Sequence, residues 1–157
     1  MSKTETQKAI VSVYMLFAKD DTVLMARRIN KKYMSDHYTV PTGHVDNIID
    51  GDRYTVESPT DAVIREGLEE TGVIIERQNI ELILTQMKPS IDGPEPRLCL
   101  YFKITAWEGD LINKEPDQAD NFDFYPLDDL PQSLMPELVS AFRAIKEKRA
   151  LDEFGYL

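Results

Sequence analysis

Three glutamates, Glu66, Glu69 and Glu70, stand at i, i+3 and i+4 in a segment whose boundaries predict a helix. That spacing puts their carboxylates on one helical face, with Cβ atoms about 5–6 Å apart. Each like-charged pair destabilises a helix by roughly 0.2–0.5 kcal/mol. Gly67, inside the same helix, costs about another 1 kcal/mol relative to alanine. A divalent cation reverses the sign of the carboxylate term. Hard oxygen donors on one rigid face suit Mg²⁺ or Mn²⁺, which keep coordination positions for water and substrate phosphates. The alternative is a solvated acidic face, and three glutamates alone do not separate the two.

The helix that carries them has independent start and stop signals. Ser58 can cap, Pro59 suits the first helical position, and Asp61 stands at the third position of a capping box. Gly72 closes the helix after Thr71 as a left-handed residue. Before it, Ala9–Ala18 reads as a strand buried on both faces, Lys19–Asp21 as a turn, and Thr22–Arg28 as the second strand of a hairpin. Tyr38–Val40 is a short strand stopped by Pro41, and Asp46–Tyr54 is a polar loop. After the helix, Glu81–Met87, Arg97–Trp107 and Phe122–Tyr125 read as strands, with a proline-rich loop from Pro89 to Pro96. Pro136–Lys148 places Leu138, Phe142 and Ile145 on one helical stripe. The pattern predicts an α/β fold with a mixed sheet between helices, as a single domain over residues 1–157, with 1–8 loose.

Composition narrows the partners. The 157 residues carry a net charge of −10, which argues against polymeric nucleic acid, since that needs a basic footprint. It leaves room for a small phosphorylated ligand bridged to acidic protein by a metal ion. The longest apolar stretch, Ala9–Ala18, is too short to span a membrane, which takes about 20 residues. It also makes a weak signal peptide, with Glu5 before it and Lys19-Asp20-Asp21 after it. The lone cysteine, Cys99, can form neither an internal disulfide nor a cysteine zinc site, so the cytoplasm is the expected compartment. His37 and His44 read as surface residues, and Tyr33, Tyr38 and Trp107 as packing residues that could alternatively stack on a nucleobase.

The segment Gly51, Glu57, Arg65-Glu66, Glu69-Glu70, Gly72-Val73 resembles the Nudix hydrolase box at its full spacing, with Gly67 replacing an apolar residue. Pro41-Thr42-Gly43-His44-Val45-Asp46 also resembles the start of that box, followed by eight extra residues. Gly43 with an insertion at 47–54 is the favoured alignment, and Gly51 the alternative. The resemblance covers about residues 9–148 and implies a Nudix-type α/β/α sandwich. It implies a pyrophosphohydrolase with Mg²⁺, or alternatively Mn²⁺, held by Glu66, Glu69, Glu70 and the Thr42 carbonyl. Arg65 would anchor Glu57, Gly72 would be structural, and Arg28 of the Arg27-Arg28 pair would join Gly43 in binding substrate. Trp107-Glu108-Gly109-Asp110 followed by Glu115 resembles a MutT-type stretch ending in a catalytic loop glutamate. Either Glu66 or Glu115 would be the general base.

The implied substrate is a small nucleotide, first a nucleoside triphosphate cleaved as MutT-like enzymes do. An ADP-ribose or sugar-nucleotide pyrophosphatase is the enzymatic alternative. Pro89, sixteen residues after Val73, sits where family members that cleave ADP-ribose often have a proline. A non-catalytic nucleotide-binding domain is the third option. Oligomeric state is left open, a homodimer included.

Overall fold

The computed structural model describes residues 3–156. Met1 and Ser2, part of the stretch expected to be loose, and Leu157 lie outside the described residues. Residues 3–9 are exposed and form no helix or strand. The chain then runs through β1 (Ile10–Lys19), β2 (Thr22–Arg27), β3 (Tyr38–Thr39), β4 (Thr42–His44), β5 (Asn47–Asp50) and β6 (Arg53–Val56). After α1 (Pro59–Thr71) come β7 (Ile80–Lys88), β8 (Arg97–Ile104), β9 (Asp123–Pro126), α2 (Pro136–Lys146) and β10 (Leu151–Glu153). No helix among the described residues is long and apolar enough to cross a membrane.

The sheet is mixed and organised around β1. Its strand order is β10-β7-β8-β1-β2-β3, with β4 also paired to β1 and β9 to β2. β1 runs parallel to β8 from Ile10↔Arg97 to Phe17↔Ile104. Its other edge is shared: Ser12–Tyr14 pair with β4, while Ala18 and Lys19 turn into β2. Where the strand changes partners, β2 and β4 diverge, and a cleft opens between them.

Alternation along β1 sorts the core into two layers. Val13, Met15 and Phe17 point towards α1 and pack with Ala62, Val63, Val73, Ile75, Phe102 and Ile104. Tyr14 and Leu16 point the other way and pack with Leu84, Tyr101, Leu138, Ala141 and Ala144 on the α2 side. One helix on each face makes the α/β/α sandwich expected from the order of elements.

Three local features go beyond the sequence reading. Residues 47–56 are a two-stranded hairpin rather than an irregular loop, with Ile48↔Thr55 and Ile49↔Tyr54 as cross-strand pairs. Its β-branched and aromatic residues favour pleated backbone, and Gly51 supplies the left-handed turn residue at φ 58°. β10 forms because Leu151–Glu153 pairs parallel to β7, which places Asp152 in the core. Gly67 is buried because its missing side chain leaves room for Ile75: a Cβ there would stand 2.5 Å from Ile75 Cδ1.

Candidate active site

The start of α1 is fixed by the signals that predict it. Ser58 Oγ accepts the Asp61 N–H at 3.1 Å, and Gly72, at φ 77°, donates to the Leu68 carbonyl. The last carbonyls of the helix are capped from outside. Lys114 N–H donates to Glu70 O at 3.1 Å, and Ile112 N–H to Thr71 O at 2.9 Å. The helix end and the loop carrying Glu115 are therefore held together by backbone.

Against this end of α1 lies a cleft of about 390 Å³. It is lined by the acids Glu66, Glu70 and Glu115, by the bases Arg28 and Lys31, and by the apolar Phe122, Val40 and Ala26. Thr42, Gly43 and His44 of β4 also line it. Gly43 is required by contact: a Cβ there would overlap the Glu66 carboxylate. Gly51, at the hairpin tip, has open space around it.

The three helix glutamates occupy different settings. Glu66 accepts the His44 N–H at 3.2 Å and lies 3.0 Å from Arg65 Nη1. Glu69 is more exposed and takes Arg65 Nη1 at 3.2 Å. Glu70 faces the cleft. Burial, and then the neighbouring Glu115 and Glu66 carboxylates, push its carboxyl up to about 8. The backbone at Thr42 and the charge of Lys31 act the other way.

Arg65 is the hub beneath these acids. Its Nε and Nη2 grip Glu57 at 2.8 and 2.9 Å, and Nη2 also donates to the His44 carbonyl at 2.9 Å. Asp46 comes within 3.3 Å of the same nitrogen. Hydrogen bonds from Arg65 hold the Glu57 carboxyl below the usual range, against its burial. The Asp46 N–H donates to Glu57 at 3.0 Å, so the hairpin β5–β6 is pinched off at its base.

Arg27, the last residue of β2, and Arg28 just after it line different clefts. Arg27 pairs with Asp120 at 2.7 Å in a separate cleft with Tyr38 and Tyr125. Arg28 lines the acidic cleft, where Nη2 donates to the Tyr33 carbonyl and the buried Nε has no partner. Trp107 packs edge-to-face on Phe17 with centroids 5.3 Å apart, and Tyr38 does the same with Tyr125 at 5.5 Å. Tyr33, Tyr38 and Trp107 are all absent from the lining of the cleft. Pro89 is also outside it, beside Gly155. His44 lines the cleft with Nε2 3.4 Å from Arg97 Nη1, and His37 bonds the Ser35 carbonyl. Lys31, Asn113, Gln118 and Phe122 also line the cleft and carry no local sequence signal, because loop contacts bring them there.

The donor set suits a hard divalent cation. Glu66, Glu70 and Glu115 supply only oxygen, and their mutual repulsion at Glu70 is what a cation would relieve. In the conformation described, Arg65 neutralises Glu66 and Glu69, and no group of three or more His, Cys, Asp or Glu side chains is gathered tightly enough to hold a metal ion among the described residues.

Comparison with known proteins agrees with this architecture. No curated relative matches the chain by sequence. A MutT NUDIX hydrolase from Burkholderia pseudomallei superposes with a TM-score of 0.71 at 25% identity, covering 90% of this chain and 98% of that one. A MutT protein from Bacillus halodurans gives 0.65 at 18% identity, with 92% and 90% covered. A UDP-X diphosphatase gives 0.58 at 14% identity, with 95% and 70% covered. The NUDIX domain model matches residues 6–145, nearly the whole described fold. With its hydrolase box on α1 at the mouth of the cleft, the chain belongs to the Nudix family.

Proposed function

We propose that this chain is a metal-dependent pyrophosphohydrolase that cleaves a phosphoanhydride in a nucleoside diphosphate-linked substrate, a nucleoside triphosphate foremost. The observation that supports this reading is the gathering of Glu66, Glu70 and Glu115 with Arg28 and Lys31 in the lining of one cleft. Such a lining suits a polyanion, through the basic side chains and through a cation held by the acids. The likeness to a MutT NUDIX hydrolase at 25% identity supports the MutT-like reading, in which a triphosphate is cleaved. The UDP-X diphosphatase match keeps a sugar nucleotide as the second reading. The chain reads as one domain over 1–157, with 47–54 an insertion between Gly43 and Glu57, and the cytoplasm as its compartment.

Glu66, Glu69, Glu70 and the Thr42 carbonyl would hold Mg²⁺, or Mn²⁺ in its place. The bound ion supplies charge neutralisation for the phosphates and a more acidic water. Arg65 orients the glutamates from behind and anchors Glu57, which ties the hairpin base to α1. Gly43 gives the Glu66 carboxylate the space it occupies, and Gly72 ends the helix where the Glu115 loop docks. Arg28 lines the cleft, where its guanidinium would meet a phosphate oxygen. Either Glu66 or Glu115 takes the proton from the attacking water, since both line the cleft. The partner is a small nucleotide, and the number of copies in solution is a separate question.

The test is product release from a panel of nucleoside triphosphates, ADP-ribose and sugar nucleotides, with Mg²⁺, with Mn²⁺ and with EDTA. Pyrophosphate from triphosphates, lost in EDTA, supports the first reading. Turnover confined to sugar nucleotides or ADP-ribose supports the second. Nucleotide binding with no product under any condition overturns both.

A further inference from the structure

The loop that brings Glu115 into the cleft is fastened at both ends by backbone. Ile112 and Lys114 donate to the last carbonyls of α1. On the other side, Ile29 N–H donates to Gln118 O and Asp120 N–H to Arg27 O, both at 2.9 Å. Between these anchors lies a turn, with Gln118 and Ala119 N–H groups on the Glu115 carbonyl at 2.9 and 3.2 Å. Backbone alone does not settle which way the Glu115 side chain leaves that turn.

One half-buried side chain spans the turn. Asn113 Oδ1 accepts the Glu115 N–H at 2.9 Å, while Nδ2 donates to Ala119 O at 2.7 Å and Asp120 O at 2.9 Å. A carboxamide is the group that can do both, with acceptor and donor on one rigid plane. It joins the entry of the turn to its exit. Asn113 also stands on the cleft wall, one residue before Lys114, whose N–H is bonded to Glu70. The carboxamide thus ties the Glu115 backbone to the exit of the turn, next to the anchor at Glu70.

We propose that Asn113 is a positioning residue, whose carboxamide fixes the direction in which the Glu115 carboxylate enters the cleft beside Glu66 and Glu70. The proposal rests on the reading of Glu115 as a catalytic group.

The experiment compares Asn113→Ala, Asn113→Asp, Glu115→Gln and the double variant Asn113→Ala/Glu115→Gln. Asn113→Asp is isosteric and keeps the acceptor, so it covers the case in which the alanine variant fails to fold. Steady-state kinetics with Mg²⁺ are paired with amide hydrogen exchange on the metal-free protein. In Asn113→Ala the Glu115 amide should exchange about tenfold faster for the loss of one hydrogen bond. Its kcat should fall by about 10- to 100-fold, as misplacement of a reacting group does, with KM nearly unchanged. Asn113→Asp, lacking the donor, should also lose kcat. The double variant should be no slower than Glu115→Gln within about twofold, because both changes disable one unit.

Unchanged exchange at Glu115 in Asn113→Ala overturns the proposal, as does faster exchange with wild-type kcat. Additive losses in the double variant also overturn it, since Asn113 would then act elsewhere. Full activity in Glu115→Gln removes the Glu115 assignment and the proposal with it. Absence of turnover in the wild type removes the hydrolase reading itself, a failure distinct from the others.

Discussion

Arg65 holds Glu57 in a two-pronged grip, 2.8 Å from Nε and 2.9 Å from Nη2, and the Glu57 side chain is only 8% exposed. The pair joins the end of the hairpin insertion to the face of α1 that bears the acids. Lysine cannot reproduce two parallel donors. Arg65→Lys should therefore destabilise the fold by about 1.5–3 kcal/mol, the worth of hydrogen bonds to a charged group. Urea unfolding checks this, and wild-type stability in Arg65→Lys would show that the fork is dispensable.

Gly43 and Glu66 occupy adjoining space with no allowance for a methyl group. Gly43→Ala should leave the melting temperature within a few degrees, because the obstructed atoms end a flexible side chain. Mg²⁺-dependent turnover should fall by about 100-fold through displacement of the carboxylate. Full activity in that variant would mean that the Glu66 position is not critical.

Gly67 and Ile75 form a complementary pair inside the core. Alanine at 67 gains helix propensity of about 1 kcal/mol but meets Ile75 Cδ1 at 2.5 Å. Overpacking costs about 1–3 kcal/mol, so Gly67→Ala should be destabilising in the wild-type background. In an Ile75→Val background, which lacks that methyl group, the same change should be neutral or stabilising. Denaturant melts of the four proteins in the cycle decide it, and equal effects in both backgrounds would contradict the packing account.

Asp152 sits in the core on β10, with Gln86 Nε2 at 2.8 Å, Ser140 Oγ at 2.7 Å and Arg149 Nη1 at 3.2 Å. Burial raises its pKa, but the bonds from Gln86, Ser140 and Arg149 outweigh it and hold the carboxyl below its ordinary value. A depressed folded-state pKa contributes stability that is complete above the unfolded value of about 3.9. That stability is lost as pH falls through the folded value. Asp152→Asn should therefore weaken the protein at pH 7 and flatten its acid unfolding limb below about pH 4. An acid limb identical to wild type would show that Asp152 does not titrate across unfolding.

The main elements and the acids of α1 were legible because they are local. Ser58, Pro59 and Gly72 mark the ends of a helix whatever surrounds it, and β1 announces itself by its apolar run. Features that depend on distant partners were not legible. β10 is three residues that become a strand only beside β7. The hairpin at 47–56 hid in a polar stretch read as a loop, although Ile48, Ile49, Tyr54 and Val56 were visible there. The lining of the cleft by Lys31, Asn113, Gln118 and Phe122 follows from two loops meeting across it, a tertiary fact with no periodicity to read.

In the proposed function, Glu70 and its neighbours hold a cation that drives phosphoanhydride cleavage. The direct measurement is pyrophosphate release from a nucleoside triphosphate in Mg²⁺, by wild type and by Glu70→Gln. Thermal melts in EDTA accompany it. EDTA should abolish turnover, and Glu70→Gln should lower it by at least about 100-fold. The metal-free Glu70→Gln protein should melt no lower than wild type, because a crowded buried carboxyl has been neutralised. Turnover that survives EDTA, or full activity in Glu70→Gln, would contradict the proposed function.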